Sequence, residues 1–483
     1  YKKIFSDKSF ILKSIKLKNK KLSKDWKVNI LNEKINFQIS KNCKFKKASI
    51  DSRNIKNNDI FFAIKGTNND GNSFADEALS KGASIAIVNK KNKFHRSRKI
   101  LVKDTLKLLT EASQDIRKVS KAKFISITGS SGKTSLKDLL CFGLDKFAKI
   151  SKSDKSYNNK YGVPLSLFNI NKDDKYVVLE VGMDKSGEID DLTQVIKPNI
   201  GVITNISFAH IKNFKNLRGI ANAKSEIMNN ITKYGKIVLN QDDFFFNYLK
   251  KIAIRKKLKV ISFSKKNTLS NIHLKKIKSK TKDSEIIVSI NKYNKTFIIK
   301  NNLKPYLSNI LASIAIISQL CSIKNINKNL FYNFKPSSSR GDIKKIKVNK
   351  KKIILIDESY NSNPLSLEFA INNFDKQFKN NKYLILGDML ELGKFSKKLH
   401  KNMSKIINKS SISKVYVTGN YIKETYNGIE RKKRGRILSN KNEIYKLIKY
   451  ELNNNDHLMV KASNSTGLNN IIRRVKKGYN YAL

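Results

Sequence analysis

Apolar and polar residues change their period repeatedly along this chain. At 123–135 the sequence Lys-Phe-Ile-Ser-Ile-Thr runs into Gly-Ser-Ser-Gly-Lys-Thr-Ser, and an amphipathic stretch follows over 136–147. That change of period predicts a strand, a glycine turn and a helix opening near Thr134. Apolar runs at 176–181, 200–204 and 236–240 each end on polar residues, with helical spacing between and after them, as over 218–231. Apolar strands alternating with helices predict a parallel sheet covered on both faces. Residues 253–300 read as richer in strand. The longest uncharged run, 305–323, carries Ser308, Asn309, Ser313, Ser318 and Gln319, which would be costly in lipid, so it predicts a buried core helix over 306–323 and not a membrane span.

The two ends read differently. Over the first hundred residues, short β-like runs at 28–31, 60–64 and 85–88 are separated by polar turns, which predicts a small α/β or mostly-β domain; a helical stretch at 105–119 leads out of it. The segment Lys335-Pro-Ser-Ser-Ser-Arg-Gly341 punctuates the other end. Beyond it strands at 353–357, 383–387, 415–418 and 458–461 alternate with helices at 365–374, 396–407, 441–452 and 467–475. That is a second, smaller doubly wound domain with its own crevice at the strand C-termini. The expected class is α/β in three domains: a small N-terminal domain over 1–100, a central P-loop domain with a mostly parallel sheet over 101–335, and a Rossmann-like domain over 336–483.

Length agrees, because 483 residues exceed one core and 40% hydrophobic content can fill several. No secretory leader is visible at the start, which is Tyr1. Cys43, Cys141 and Cys321 lack metal-ligand spacing, which argues for a reducing compartment and against disulfides or zinc. The formal net charge of +61 does not by itself point to nucleic acid. Lysine is over-used everywhere, with no arginine-rich arm, aromatic-interleaved basic stripe or zinc finger. A uniform lysine bias favours solubility and attracts anionic ligands.

The chemistry gathers at predicted strand ends. Gly129 and Gly132 let backbone N–H groups turn toward an anion, the helix start adds its dipole, Lys133 can reach outer phosphates, and the Thr134 hydroxyl can take magnesium. The motif is the short form, with Ile127 where the full pattern has glycine. Glu180, closing a buried strand, is placed to hold magnesium. His210 closes a segment just past another strand. Lys224 and Glu226 share a helix, where spacing alone gives Lys224 no role. Asp357, Glu358, Tyr360, Asn361 and Asn363 follow a strand and offer acceptors for ribose hydroxyls and side chains for a base, besides capping a helix. Gly387-Asp-Met-Leu-Glu-Leu-Gly393 is another acidic strand-end loop, with His400 on the helix after it.

Together these segments resemble the Mur ligase family, ATP-dependent enzymes of cytoplasmic peptidoglycan precursor synthesis. The resemblance runs through Asp51-Ser-Arg53, Asp59-Ile-Phe-Phe-Ala-Ile-Lys-Gly66, Thr128-Gly-Ser-Ser-Gly-Lys-Thr134, Asn158-Asn159 with Gly162-Val-Pro164, Glu180, Asn205, His210, Ala223-Lys-Ser-Glu-Ile227, 357–364 and 387–393. It implies an N-terminal domain for a UDP moiety, with Ser52 and Arg53 facing the UDP end and Asn158 and Asn159 on the substrate side. It implies that Gly129, Ser130, Ser131, Gly132, Lys133, Thr134 and Ser135 bind ATP phosphates, and that Thr134 and Glu180 hold one Mg²⁺. His210 and a carbamylated Lys224 would help hold a second; carbamylation turns a cation into an anionic metal ligand. Asn309 and the 357–363 loop would contact the nucleoside, and Arg340 would approach the phosphates. The chain departs from the family at Pro305-Tyr306, where relatives carry His-Asn. Within the family the nearest alternative is the sister ligase that adds the third amino acid; the Asp-Asn-Pro-Arg motif of its meso-diaminopimelate form is absent, and the 359–364 and 387–393 loops favour the dipeptide-adding type. The implied partners are UDP-N-acetylmuramoyl-tripeptide and D-alanyl-D-alanine, with ATP and Mg²⁺, no nucleic acid and no membrane, in a cytoplasmic monomer. From another class, a basic P-loop ATPase acting on nucleic acid would want an Asp-rich strand where this chain has the single Glu180.

Overall fold

The computed structural model describes residues 25–35, 39, 45–67, 69–90, 98–379 and 381–478, so Cys43 lies outside the described residues. They fall into two units, drawn from 1–121 with 160–173 and from 122–159 with 174–483.

In the first unit the Asp25 side chain accepts from the Lys27 amide and opens a helix over Trp26–Lys34. The run 28–31, expected as a strand, is therefore helical. Val28 and Leu31 lie three residues apart on one face, both fully buried, and the helix packs on Thr105–Val119. A cap and a packed face outweigh the strand preference of Val28 and Ile30. Four parallel strands follow: β1 (Ala48–Ser49), β2 (Asp59–Phe62), β3 (Ala83–Val88) and β4 (Lys99–Leu101), paired in that order. The Thr105–Val119 helix, capped by Asp104, belongs to this unit and not to the central domain. So does the Gly162–Phe168 helix: Ser113 donates to the Pro164 carbonyl at 2.7 Å, and the Phe62 and Phe168 rings meet edge to face at 5.5 Å.

The second unit holds two sheets. The larger contains β5 (Lys123–Thr128), β6 (Ile150–Lys152), β7 (Tyr176–Glu180), β8 (Ile200–Ile203), β9 (Lys236–Asn240), β10 (Lys259–Ser264), β11 (Ile272–Ser279), β12 (Asp283–Ile290) and β13 (Tyr293–Lys300). Its order is β13-β12-β11-β10-β9-β8-β5-β7-β6, parallel from β6 to β11. The strand-rich stretch adds an antiparallel edge, β11-β12-β13. The Leu307–Ile317 helix, buried continuously from Ile310 to Ile317, packs on the Lys133–Leu144 helix and on β10 and β11. It is shorter than the uncharged run predicted, ending before Ser318 and Gln319. Among the described residues no helix is long and apolar enough to cross a membrane.

The smaller sheet holds β14 (Asp342–Val348), β15 (Lys351–Glu358), β16 (Lys382–Gly387), β17 (Lys414–Thr418), β18 (Arg434–Ile437) and β19 (His457–Lys461), in the order β14-β15-β19-β16-β17-β18. Only β14 runs antiparallel to its neighbour. Both sheets expose strand C-termini at a point where the order reverses, beside β5 and beside β19, and ligands of doubly wound folds bind at such crevices.

Candidate functional site

β5 delivers the chain into Gly129 at φ +145° and Gly132 at φ +80°. A Cβ on Gly129 would lie 1.8 Å from Thr204 Oγ1, so the approach of this loop to the end of β8 requires glycine. The loop is clamped from β8: Ser130 N donates to the Asn205 carbonyl (2.9 Å), Ser131 N to Asn205 Oδ1 (3.0 Å), and Thr204 Oγ1 to the Ser131 carbonyl (2.7 Å). Gly132 starts the Lys133–Leu144 helix, one residue before the expected Thr134. Lys133 Nζ donates to the Gly129 carbonyl at 2.8 Å, and burial lowers its pKa.

Glu180, at the end of β7, is 2% exposed. Thr134 Oγ1 donates to its Oε2 at 2.6 Å and Asn158 Nδ2 to its Oε1 at 2.8 Å. A buried carboxylate and a hydroxyl side by side form a hard-oxygen pair suited to Mg²⁺. His210, at φ +61°, faces two carboxylates: its Nδ1 lies 2.7 Å from Glu391 and 3.4 Å from Asp184. The ligand atoms of these three residues lie within 4.8 Å of one another. His210 holds the Glu391 carboxyl below its usual range. Lys224 is 2% exposed on the Leu217–Ser225 helix. Burial, with Lys133 adding repulsion, pushes its pKa well down.

A cavity of about 730 Å³ joins the P-loop, Glu180 and His210 to the C-terminal domain, and Lys224 is not among the residues that line it. Ser130 to Ser135, Asn158, Glu180, His210 and Asn309 line it from the central domain; Arg340, Glu358, Tyr360, Asn361, Asn363 and Lys461 line it from the linker and the smaller sheet. Asn363 caps the Pro364–Gln377 helix in a capping box and also donates to the Ser130 carbonyl at 3.3 Å. Arg340 stacks 3.9 Å over the Tyr360 ring. Tyr306 donates to the Arg340 carbonyl, and burial beside Glu358 and Asp342 raises its pKa strongly.

Not every expected residue reaches the cavity. Asp357 is 1% exposed and turned inward: Ser359 N (3.0 Å) and Oγ bind Oδ1, while Ser339 Oγ (2.9 Å) and Lys476 bind Oδ2. Glu358, paired with Lys461 at 3.3 Å, is the acid that faces the cavity. Ser52 donates to Glu77 at 2.9 Å, and Arg53 makes a two-pronged pair with Asp51 (2.8 and 2.9 Å); both lie in the first unit. His400 is fully buried, accepting from the Met389 amide on Nε2 (3.0 Å) and pairing through Nδ1 with the Ser396 carbonyl (2.8 Å), which makes it structural. Cys141 and Cys321 are free, and burial pushes the Cys141 thiol up to about 12. Sequence reasoning passed over Ser156, Asp184 and Lys461, none of which stands in a motif; Glu391 was visible only as one acid of the 387–393 loop. A larger open groove of about 1450 Å³ lies in the C-terminal domain between the 441–451 and 468–477 segments. Among the described residues it has lysine and arginine walls but no carboxylate, histidine or glycine loop, so the candidate chemistry is drawn from the smaller cavity.

Comparison with known proteins places this geometry. Three family models tile the chain: "Mur ligase family, catalytic domain" over 44–127, "Mur ligase middle domain" over 127–317 and "Mur ligase, glutamate ligase domain" over 344–464. The UDP-N-acetylmuramoyl-tripeptide--D-alanyl-D-alanine ligase of Rickettsia prowazekii (strain Madrid E) is 30% identical over 450 residues, 92% of this chain and 99% of that protein. The ligase of the same name from Buchnera aphidicola subsp. Baizongia pistaciae is 34% identical over 442 residues, 89% and 92% of the two chains. Among solved structures, MurF from Acinetobacter baumannii superposes with a TM-score of 0.79 at 24% identity, covering 94% of this chain and 99% of that one. The MurF ligase of Thermotoga maritima in complex with ADP gives 0.75 at 24% identity, covering 89% and 97%.

Proposed function

The chain belongs to the Mur ligase family, and on that premise we propose that it joins D-alanyl-D-alanine to UDP-N-acetylmuramoyl-tripeptide at the expense of ATP. The single observation that carries this is the end-to-end match to ligases of that name. The fold of ADP-bound and other MurF structures agrees. The reading sets the protein in the cytoplasm.

A carboxylate resists an amine because its leaving group would be oxide. Transfer of the γ-phosphoryl group from ATP to a carboxylate oxygen of the tripeptide releases ADP and gives an acyl phosphate. The amine of D-alanyl-D-alanine then attacks the acyl carbon, the C–O bond to phosphate breaks, and amide and phosphate leave after loss of the ammonium proton. The protein's part is positioning and charge neutralisation. The backbone N–H groups at the helix start, 132–135, and the Lys133 ammonium take the phosphates, while the Ser130 and Ser131 amides stay on Asn205 and hold the loop in shape. Arg340 approaches them from the linker. Asn309, Glu358, Tyr360, Asn361 and Asn363 surround the nucleoside, whereas Asp357 braces their loop from behind.

Thr134 and Glu180 fit a first Mg²⁺, since both present oxygen and the carboxylate is already buried and oriented. His210 fits a second, next to Asp184 and Glu391. Magnesium, when bound, offsets the phosphate charge that builds up during transfer. The depressed basicity of Lys224 supports its carbamylation, because only the neutral amine adds to CO₂. Docking of the C-terminal domain over the P-loop excludes water that would otherwise hydrolyse the acyl phosphate.

The test is phosphate release from Mg-ATP with each substrate alone and both together. Release that needs both, with UDP-MurNAc-pentapeptide found by mass, is the expected result. Release with neither substrate, raised by DNA or RNA, would sink the ligase and favour a basic nucleic-acid-dependent ATPase.

A further inference from the structure

The turn between β6 and the Gly162–Phe168 helix presents one hydroxyl, Ser156, to three separate parts of the second unit. Arg340, on the linker, donates to Ser156 Oγ at 3.0 Å. Tyr360, on the loop after β15, donates to it at 2.9 Å. Thr134 Oγ1, on the P-loop helix, lies 3.4 Å away.

Donor and acceptor counting gives these contacts a direction. A serine hydroxyl has one proton and two lone pairs, and a guanidinium only donates. With Arg340 and Tyr360 on the lone pairs, the Ser156 proton is left to point at Thr134 Oγ1. Thr134 can accept it, because its own proton is committed to the carboxylate of Glu180 at 2.6 Å. One chain of hydrogen bonds therefore runs Tyr360 to Ser156 to Thr134 to Glu180, from the C-terminal domain to the oxygen pair suited to magnesium. It leaves Thr134 one lone pair for a metal.

The turn that carries Ser156 is held rigidly. Lys137, 1% exposed, donates to the Ser153 carbonyl at 2.8 Å and to the Lys155 carbonyl. The Glu180 amide donates to Ser153 Oγ at 3.2 Å, and the Tyr157 amide closes the turn on the Asp154 carbonyl at 3.0 Å. Ser156 is thus placed before the C-terminal domain reaches it.

We propose that Ser156 is a positioning residue that registers docking of the C-terminal domain and, through Thr134, orients the Thr134–Glu180 oxygen pair for its metal. The inference rests on the ligase reading. When Tyr360 and Arg340 withdraw, Ser156 is free to turn its proton elsewhere, and Thr134 loses the partner that fixes its lone pair. Closure and metal readiness then rise and fall together.

The experiment compares Ser156→Ala, Ser156→Thr, Tyr360→Phe and the Ser156→Ala/Tyr360→Phe double variant. For each, kcat, the KM values and the magnesium concentration for half-maximal rate are measured on the full chain, and magnesium binding is also titrated without turnover, by the shift of the thermal midpoint with Mg-ADP, where Ser156→Ala should need several-fold more magnesium for the same shift. Ser156→Ala is expected to lower kcat about tenfold, the loss of one charge-assisted positioning contact. It should raise the magnesium requirement several-fold and leave the KM for UDP-MurNAc-tripeptide unchanged. Tyr360→Phe shifts magnesium the same way, the double variant is no worse than Ser156→Ala, and Ser156→Thr, which keeps the hydroxyl, restores most of the rate. Independent, multiplying effects of the two single changes overturn the inference, as does an unaltered magnesium titration. Should Ser156→Ala fail to fold, Tyr360→Phe decides, and a wild-type magnesium titration there overturns it. Wild-type protein that makes no pentapeptide overturns the ligase reading and this inference with it; active wild type with unaffected variants overturns this inference alone.

Discussion

Glu180→Gln separates the structural work of the buried carboxylate from its proposed chemical work. The side chain is 2% exposed, and Thr134 and Asn158 both donate to it. Glutamine has the same shape, so no cavity opens. Its oxygen still accepts from Thr134, but its NH₂ faces the Asn158 NH₂ until that amide turns over. Two charge-assisted bonds become neutral ones, a loss of about 1–3 kcal/mol of stability in all. On the proposed reading the substitution removes an anionic metal ligand, which should cost about 3–4 kcal/mol in the phosphoryl-transfer step, or roughly 10²–10³ in kcat. The assay is phosphate release coupled to detection of pentapeptide across a magnesium series. Nucleotide binding without magnesium serves as the control and should change less than about threefold, under 1 kcal/mol. A rate within tenfold of wild type would refute the metal role of Glu180. So would a loss of magnesium-free nucleotide binding as large as the loss of rate, because the defect would then be the fold of the loop.

Gly129→Ala puts a methyl group against Thr204 Oγ1 at a φ that alanine resists, so nucleotide affinity measured by calorimetry should fall at least tenfold. Asp357→Asn keeps the shape but loses the charge that Lys476 faces, so it should lower the thermal midpoint by about 2 kcal/mol of stability, while the KM for ATP stays within about threefold of wild type; a selective rise in KM would make Asp357 a nucleoside ligand after all. His400 is held neutral by burial, below its ordinary 6.5. The unfolded chain then takes up a proton that the folded one refuses, so stability is present above pH 6.5 and is lost as the pH falls from there toward the depressed value. Thermal melts on acidification should show this loss, and His400→Gln should flatten it. Carbon-labelled bicarbonate should give a carbamate resonance in the intact protein that disappears in Lys224→Arg; its persistence there would assign the carbamate elsewhere.

What was legible in the sequence was the part written in local period. The switch from alternation to helical spacing around Gly129 marks β5, the loop and the helix because all three are contiguous and regular. The antiparallel edge strand β14 went unread, since its exposed lysines leave only Ile346 and Val348 to mark an alternation. The Trp26–Lys34 helix went unread because its β-branched residues imitate a strand. Among site residues, Lys133 and Glu180 sit at recognisable strand ends. Ser156 meets Tyr360 across 204 residues of sequence, a contact that only the folded chain makes. Asp357 shows the opposite failure: its strand-end position suggested a ligand, and only packing reveals that Ser339, Ser359 and Lys476 occupy it.

The first unit is completed by residues 160–173, which follow the opening strand of the next unit. The Gly162–Phe168 helix that covers Ser113 and Phe62 is thus made after β5 and β6. During synthesis at about 5–20 residues per second, the N-terminal unit waits several seconds beyond Lys121 for its last helix. Over that interval the part of the Thr105–Val119 helix that the Gly162–Phe168 helix covers stands open while the central sheet is already emerging from the ribosome. Nascent chains stalled before residue 160 should therefore bind holdase chaperones and yield to protease, and those stalled well past 173 should resist it.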